Sequence, residues 1–295
     1  MRRAKIGGLV AIPIVLVAAF LLVSRKQPPP AQARGFRASL EGQPLATLRV
    51  GRHEFQVRKS DAGGSLDILT EGKSVKHITG VNFRLDDFGE TPAGWKNGSD
   101  INGDSVPEVV VMEDTGGAHC CTSWRIFHAG DSVDQIYEFT NGHTDLFPFV
   151  DMTHDGKLAL RVYDWTFAYW KTSFASSPAI VLIYSWQDGK YAFSPELTRT
   201  APLPGDDLQK RISELDWDRS EPEANAPPQF WTDMLEMIGS GNAAQLASYV
   251  RMAWPAGRSG KSEFLAAFAQ QLHQSSYWPQ LNELNGGNLE AALPK

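Results

Sequence analysis

At 295 residues, with 42% hydrophobic and 11% aromatic side chains, the chain has enough apolar material for one large domain or two modest ones. A net charge of −6, and the lack of any basic stripe with interleaved aromatics, argue against a nucleic-acid partner. No G-x-S-x-G elbow, H-E-x-x-H pair, Walker loop or C-x-x-C occurs, so the familiar catalytic signatures are missing.

The N-terminus reads as a membrane segment. A basic tail, residues 1–5, precedes an apolar run over residues 6–23, and roughly 18 such residues suffice for a transmembrane helix. A Pro-rich linker follows over residues 24–36. Ala31 and Ala33 have the A-x-A form of a cleavage site, but Arg25 and Lys26 stand between it and the apolar run. Charges there suit an interfacial stop, so the expectation is an uncleaved signal-anchor in the inner (cytoplasmic) membrane, with the bulk of the chain periplasmic. Secretion to the periplasm after cleavage near Ala33 is the alternative. Basic residues on both sides leave orientation to the chemistry further along the chain.

Residues 37–200 read as β structure. Short apolar or alternating runs recur at Ala46–Val50, Glu54–Val57, Leu66–Leu69, Val81–Leu85, Val109–Met112, Trp124–Phe127, Gln135–Phe139, Leu158–Tyr163, Ile180–Trp186 and Tyr191–Phe193. Turn residues separate them, and Gln187 to Lys190 joins the last two runs as a hairpin. No helical periodicity interrupts the region, so parallel βαβ units are not expected.

Within this region Asp100, Asn102 and Asp104 place oxygens at alternate positions around Gly103, Val106 offers a backbone carbonyl, and Glu108 leads into Val109, Val110 and Val111. Calcium takes six to eight oxygen ligands, and these five residues supply most of such a set. The loop departs from an EF-hand, with no Glu at position 12 and a strand where a helix belongs. It resembles the calcium loop of FG-GAP (VCBS-type, integrin-α-like) repeats, with Ser105 where that pattern usually has Gly. A degenerate second copy follows in Asp151, Thr153 and Asp155, a weaker metal site because Ala159 replaces the closing acid. The spacing of the two loops is about one propeller repeat. The resemblance implies calcium as the bound ion and a propeller-like fold. Residues 37–200 supply about three to four blades, so the expectation is a small or incomplete propeller-like array, or a sandwich that borrows the same loops, rather than a full wheel. Asx-turns without any metal are the plain alternative for both loops.

Cys120 and Cys121 are adjacent and are the chain's only cysteines. Their Cα atoms must lie about 3.8 Å apart, below the usual disulfide window of roughly 4.4–6.8 Å. Three readings stay open: a vicinal disulfide stiffening a turn, two thiols packed as small hydrophobes, or a soft-metal site with His119. The Gly116–Cys121 turn, with Asp164–Trp170 and Ser173–Ala175, also resembles segments of bacterial envelope proteins that carry FG-GAP-like repeats. In Trp165, Phe167, Tyr169 and Trp170 an aromatic cluster offers either core or a ligand platform for a sugar or peptide.

The linker 201–228 contains a helical run at Asp206–Leu215. Residues 229–295 then show helical spacing in Phe230, Met234, Leu235 and Ile238; in Ala243–Met252; in Ser262–Gln274; and in Tyr277–Leu284. The fold class expected is mainly β, followed by a small all-α domain. The functional expectation is a membrane-anchored envelope protein without catalysis, binding a protein or a glycan through a calcium-stabilised β domain. Alternatives are an envelope hydrolase using acids such as Asp87, Asp114 and Asp164, and a redox-responsive module using Cys120 and Cys121.

Overall fold

A computed structural model of the chain describes residues 43–86, 88–117, 121–144 and 146–295. The tail, apolar run and linker of residues 1–36 lie outside these, as do Asp87, His119 and Cys120. Among the described residues no helix is long and apolar enough to cross a membrane.

Three four-stranded antiparallel sheets follow one another along the chain, and they do not close into a propeller. The first is the meander β1 (Ala46–Val50), β2 (His53–Ser60), β3 (Gly63–Thr70) and β4 (Lys73–Gly80); the second is β5 (Asn82–Arg84), β6 (Glu108–Asp114), β7 (Thr122–Ala129) and β8 (Val133–Thr140). The third is β9 (Phe149–Val150), β10 (Ala159–Asp164), β11 (Ile180–Gln187) and β12 (Lys190–Phe193). Helices α1 (Pro195–Thr198), α2 (Gly205–Ser213), α3 (Pro228–Gly239), α4 (Leu246–Ala253), α5 (Lys261–Leu272), α6 (Trp278–Leu284) and α7 (Leu289–Ala292) complete the chain.

The second sheet is the structural middle. Side chains alternate across a strand, so Val109 and Val111 of β6 join Phe55, Val57, Leu66 and Ile68 of the first sheet. Val110 and Met112 face the other way, with Trp124 and Ile126, into a core shared with Leu160, Val162 and Leu182 of the third sheet. Burial on both faces is why β6 is an unbroken apolar run rather than an alternating one. His53 reinforces the first contact: its Nδ1 pairs with Thr70 Oγ1 at 2.9 Å and its Nε2 with Gly130 O at 2.8 Å.

The helices share the larger of these cores rather than forming a separate one. Phe230, Trp231, Met234 and Ile238 of α3, Tyr249 and Val250 of α4, and Phe264 and Phe268 of α5 lie in one cluster with the third sheet. Trp170 meets Trp231 edge-on at 5.6 Å and Phe167 lies 5.1 Å from Phe268. Inside the helical layer the fully buried Asp233 accepts from Tyr249 Oη at 2.7 Å, Gln229 Nε2 at 2.8 Å and Arg211 Nη1 at 3.3 Å. These donors offset the cost of burying the carboxylate.

The last residue of α3 sets how closely that helix approaches β11. A Cβ on Gly239 would stand 2.5 Å from Ile180 Cγ2. Gly239→Ala should therefore destabilise by about 1–3 kcal/mol, the usual range for overpacking, lowering the melting temperature by several degrees. Gly205→Ala, where a Cβ meets nothing within 4 Å, should leave it unchanged or raise it slightly. Thermal unfolding followed by circular dichroism compares the two; equal melting of both variants would contradict the close α3–β11 contact.

Candidate metal centre

The first loop connects β5 to β6, and its turns are made by its own acids. Gly103 and Ser105 both adopt left-handed backbone, at φ 80° and 70°. Serine thus takes the conformation that glycine would take more cheaply. The Asp100 carboxylate receives Gly103 N–H at 2.7 Å and Ser105 N–H at 2.9 Å. Asn102 Oδ1 receives Asp104 N–H, and Asp104 Oδ1 receives Val106 N–H, each at 2.9 Å. These are Asx-type turns, in which short side chains satisfy the backbone amides.

Glu108 is the first residue of β6 and has no exposed surface. Its Oε2 accepts Ile101 N–H at 2.8 Å and its Oε1 accepts Asn102 Nδ2–H at 2.7 Å. Across the β6–β7 ladder Glu108 stands opposite His128. His128 Nε2 therefore reaches Glu108 Oε1 at 2.9 Å, Asp104 Oδ2 at 3.2 Å and Asn102 Nδ2 at 3.2 Å. One ligand atom each from Asp104, Glu108 and His128 lies within 4.8 Å of the others, the group among the described residues suited to a metal ion. Trp186 of β11 closes one side, edge-on to the imidazole at 5.4 Å.

Electrostatics mark the same place. Burial pushes the Glu108 carboxyl up to about 8; Ile101 N–H opposes this, and the negative charges of Asp104 and Asp100 add to it. Burial also raises Tyr191, whose hydroxyl has no partner and feels Glu108, Asp104 and Asp100. Two carboxylates and an imidazole around a desolvated acid fit a divalent cation, which would favour the ionised form of Glu108.

Of the five expected ligands the structure brings Asp104 and Glu108 together. Asp100 lies outside the group, Asn102 turns its N–H toward Glu108, and Val106 contributes its N–H to Asp104. His128 was not among the residues expected from the sequence. Its only local signal is its place near the end of an alternating run, and the pairing with Glu108 exists only in the ladder.

The second loop connects β9 to β10, the equivalent connection of the next sheet. His154 and Gly156 are left-handed at φ 56° and 82°, matching Gly103 and Ser105 position for position. Asp155 Oδ1 receives Lys157 N–H at 3.1 Å, as Asp104 receives Val106, and also Thr153 Oγ1–H at 2.7 Å. Those two bonds, Thr153 first, lower the Asp155 carboxyl. Asp151 keeps one buried oxygen without a partner.

Cys121 carries no free thiol, and its neighbour Cys120 lies outside the described residues. The aromatic segment divides. Beyond β10 the chain turns, with Ala168 N–H bonding Trp165 O and Trp170 N–H bonding Phe167 O. Phe167 and Trp170 enter the core, while Trp165 and the exposed Tyr169 gather around Phe174 at 5.8 and 5.4 Å. Asp164 is buried and bonded to Thr166 and Ser275, and Asp114 accepts Gly116 N–H. Neither belongs to the metal-suited group.

Comparison of the chain with protein-family models, with curated proteins and with solved structures found no significant match.

The raised carboxyl predicts a pH dependence. A group whose folded value exceeds its ordinary 4.5 contributes stability that is complete below that value and lost as pH rises toward about 8. In chelator, the melting temperature of the native chain should therefore fall between those limits, and Glu108→Gln should flatten the slope. A slope unchanged by Glu108→Gln would show that the buried carboxyl is not its source.

Proposed function

We propose that this chain is a non-catalytic, membrane-anchored envelope protein. Residues 6–23 anchor it, and its β region, stabilised by a divalent cation, serves as a recognition surface for a protein or glycan. The observation that carries this reading is the convergence of Asp104, Glu108 and His128 around a carboxylate with no exposed surface. An acid so placed is costly alone and favourable beside a cation.

The finer fold reading is an incomplete array of FG-GAP-type blades. In its favour, three four-stranded meanders follow in sequence. The two acidic loops also occupy the same connection, first strand to second, in successive sheets. Calcium remains the ion proposed, since the loop is rich in oxygen donors. His128 favours a second reading, because imidazole suits zinc, nickel or copper better than calcium.

A cation that binds only the folded chain raises its stability by mass action. With a Kd on the order of 10⁻⁴–10⁻³ M, about 10 mM calcium should add roughly 1.4–2.7 kcal/mol. Asp104→Asn should remove most of that increment. Differential scanning calorimetry of both proteins, with calcium, zinc, manganese and chelator in turn, separates the readings. A shift with zinc alone selects the imidazole-containing site. Identical melting in all four conditions discards a cation altogether.

A further inference from the structure

Among the described residues, seven that are not glycine have left-handed backbone, and all but two have a local reason for it. Glu71 and Asp188 precede Gly72 and Gly189 in the β3–β4 and β11–β12 hairpins, where paired left-handed positions are favoured. Ser105 and His154 belong to the two acidic loops, and asparagine, as at Asn225, tolerates the conformation. Tyr169 and Lys171, at φ 60° and 53°, have no such reason. For side chains of this size the conformation costs free energy that the surroundings must offset, and such strain gathers at functional sites.

The residue between them does the holding. Trp170 packs edge-on to Trp231 at 5.6 Å and to Phe264 at 5.8 Å. Tyr169 N–H donates to Ser177 Oγ at 2.8 Å, and that hydroxyl donates to Ser173 O at 3.1 Å. With Trp170 fixed inward, Tyr169 stays 51% exposed. Lys171 Nζ reaches Glu223 O at 2.9 Å, and Thr172 Oγ1 donates to Glu221 Oε1 at 2.9 Å. Those two bonds tie together the sides of a shallow open pocket of about 370 Å³, a volume within the range of small-molecule sites. Tyr169, Lys171, Thr172 and Ser173 line one side, and Glu221 and Glu223 the other. Each of these residues has exposed surface. Glu221 Oε2, the Glu223 carboxylate, the Ser173 hydroxyl and two Lys171 N–H groups have no hydrogen bond to the described residues, and so remain open to a ligand.

The chemistry of the occupant follows by elimination. An apolar group would strip water from two carboxylates and an ammonium without replacing it. A cation meets Lys171 and an anion meets Glu221 and Glu223, so a charged ligand faces a like charge whichever its sign. Hydroxyls both donate and accept, which suits carboxylate and ammonium side by side. An exposed aromatic ring adds a flat apolar surface. A pyranose matches both, with C–H groups on one face and hydroxyls around its edge. We propose that this pocket binds a neutral sugar unit, stacked on Tyr169, its hydroxyls donating to Glu221 and Glu223 and accepting from Lys171. The inference rests on the reading of the chain as a recognition protein, and is independent of the cation.

The test is titration calorimetry and saturation-transfer NMR on the full chain in sugar-free buffer. The neutral probes are glucose, galactose, mannose and N-acetylglucosamine; glucuronate and glucosamine are the charged controls. At least one neutral sugar should bind with Kd on the order of 1 mM, and both charged controls more weakly. Tyr169→Ala and Glu221→Gln should each weaken binding by about tenfold, the worth of one lost contact. Tyr169→Phe, which keeps the ring, should bind as the native chain does. Should Tyr169→Ala fail to fold, Glu221→Gln and the charged controls decide.

No binding of any neutral sugar, binding unchanged in Tyr169→Ala and Glu221→Gln, or tighter binding of a charged control than of every neutral sugar overturns the proposal. Calcium-dependent melting is read on the same sample. Absence of sugar binding with the calcium shift intact sinks this inference alone; sugar binding without a calcium shift sinks the cation alone.

Discussion

The carboxylate of Glu108 is the constraint on which the site and much of the sheet around it depend. It has no exposed surface, and a buried acid is tolerated only when its oxygens are supplied with donors. Ile101 N–H and Asn102 Nδ2–H supply them, and both come from the loop that the acid terminates. Because Glu108 is also the first residue of β6, the same side chain fixes where the loop ends and where the strand begins. From there Val109 and Val111 go to one core and Val110 and Met112 to the other. A shift of one residue at Glu108 would exchange the two faces of the central sheet.

What was legible in the sequence follows from which interactions are local. Alternating runs such as Trp124–Phe127 and helical spacing such as Phe230, Met234 and Ile238 locate their elements, because burial of one face imposes the period. Two strands gave no such signal. Residues 73–80 of β4 are largely exposed at the edge of the first sheet, so Lys73, Lys76 and His77 carry no apolar alternation; β9 is only two residues long. The helical spacing also shows which face is apolar without naming its partner. Nothing in Phe230 or Phe268 foretells that the helices would pack on the third sheet rather than only on one another.

The site divides along the same line. Asp104 and Glu108 lie four residues apart on one loop, and their convergence follows from the turn that Gly103 permits. His128 comes from the next strand, and only the β6–β7 register puts it opposite Glu108. Asn102 illustrates a subtler limit. Its carbonyl looks like a ligand on paper, yet a neighbouring carboxylate draws its N–H inward, so the hydrogen-bond network decides the direction of the amide.

The two loops share the same residue only at their first and fifth positions, and the differences assign them separate tasks. Both keep the pair of left-handed positions and the bond from residue seven to the acid at five. At position nine one has Glu108, which closes the acidic group, and the other Ala159, which is buried and apolar at the start of β10. At position seven the second has Lys157, whose side chain lies against Gly103 of the first: a Cβ there would sit 2.6 Å from Lys157 Cε. Leu158 N–H donates to Ile101 O at 2.6 Å, and Ile101 is the residue whose own N–H holds Glu108. The second loop thus retains the turn, gives up the closing acid, and braces the backbone of the first from behind. Its Asp151 keeps one buried oxygen without a partner, so the second loop has not replaced every contact that the first makes with its own acids.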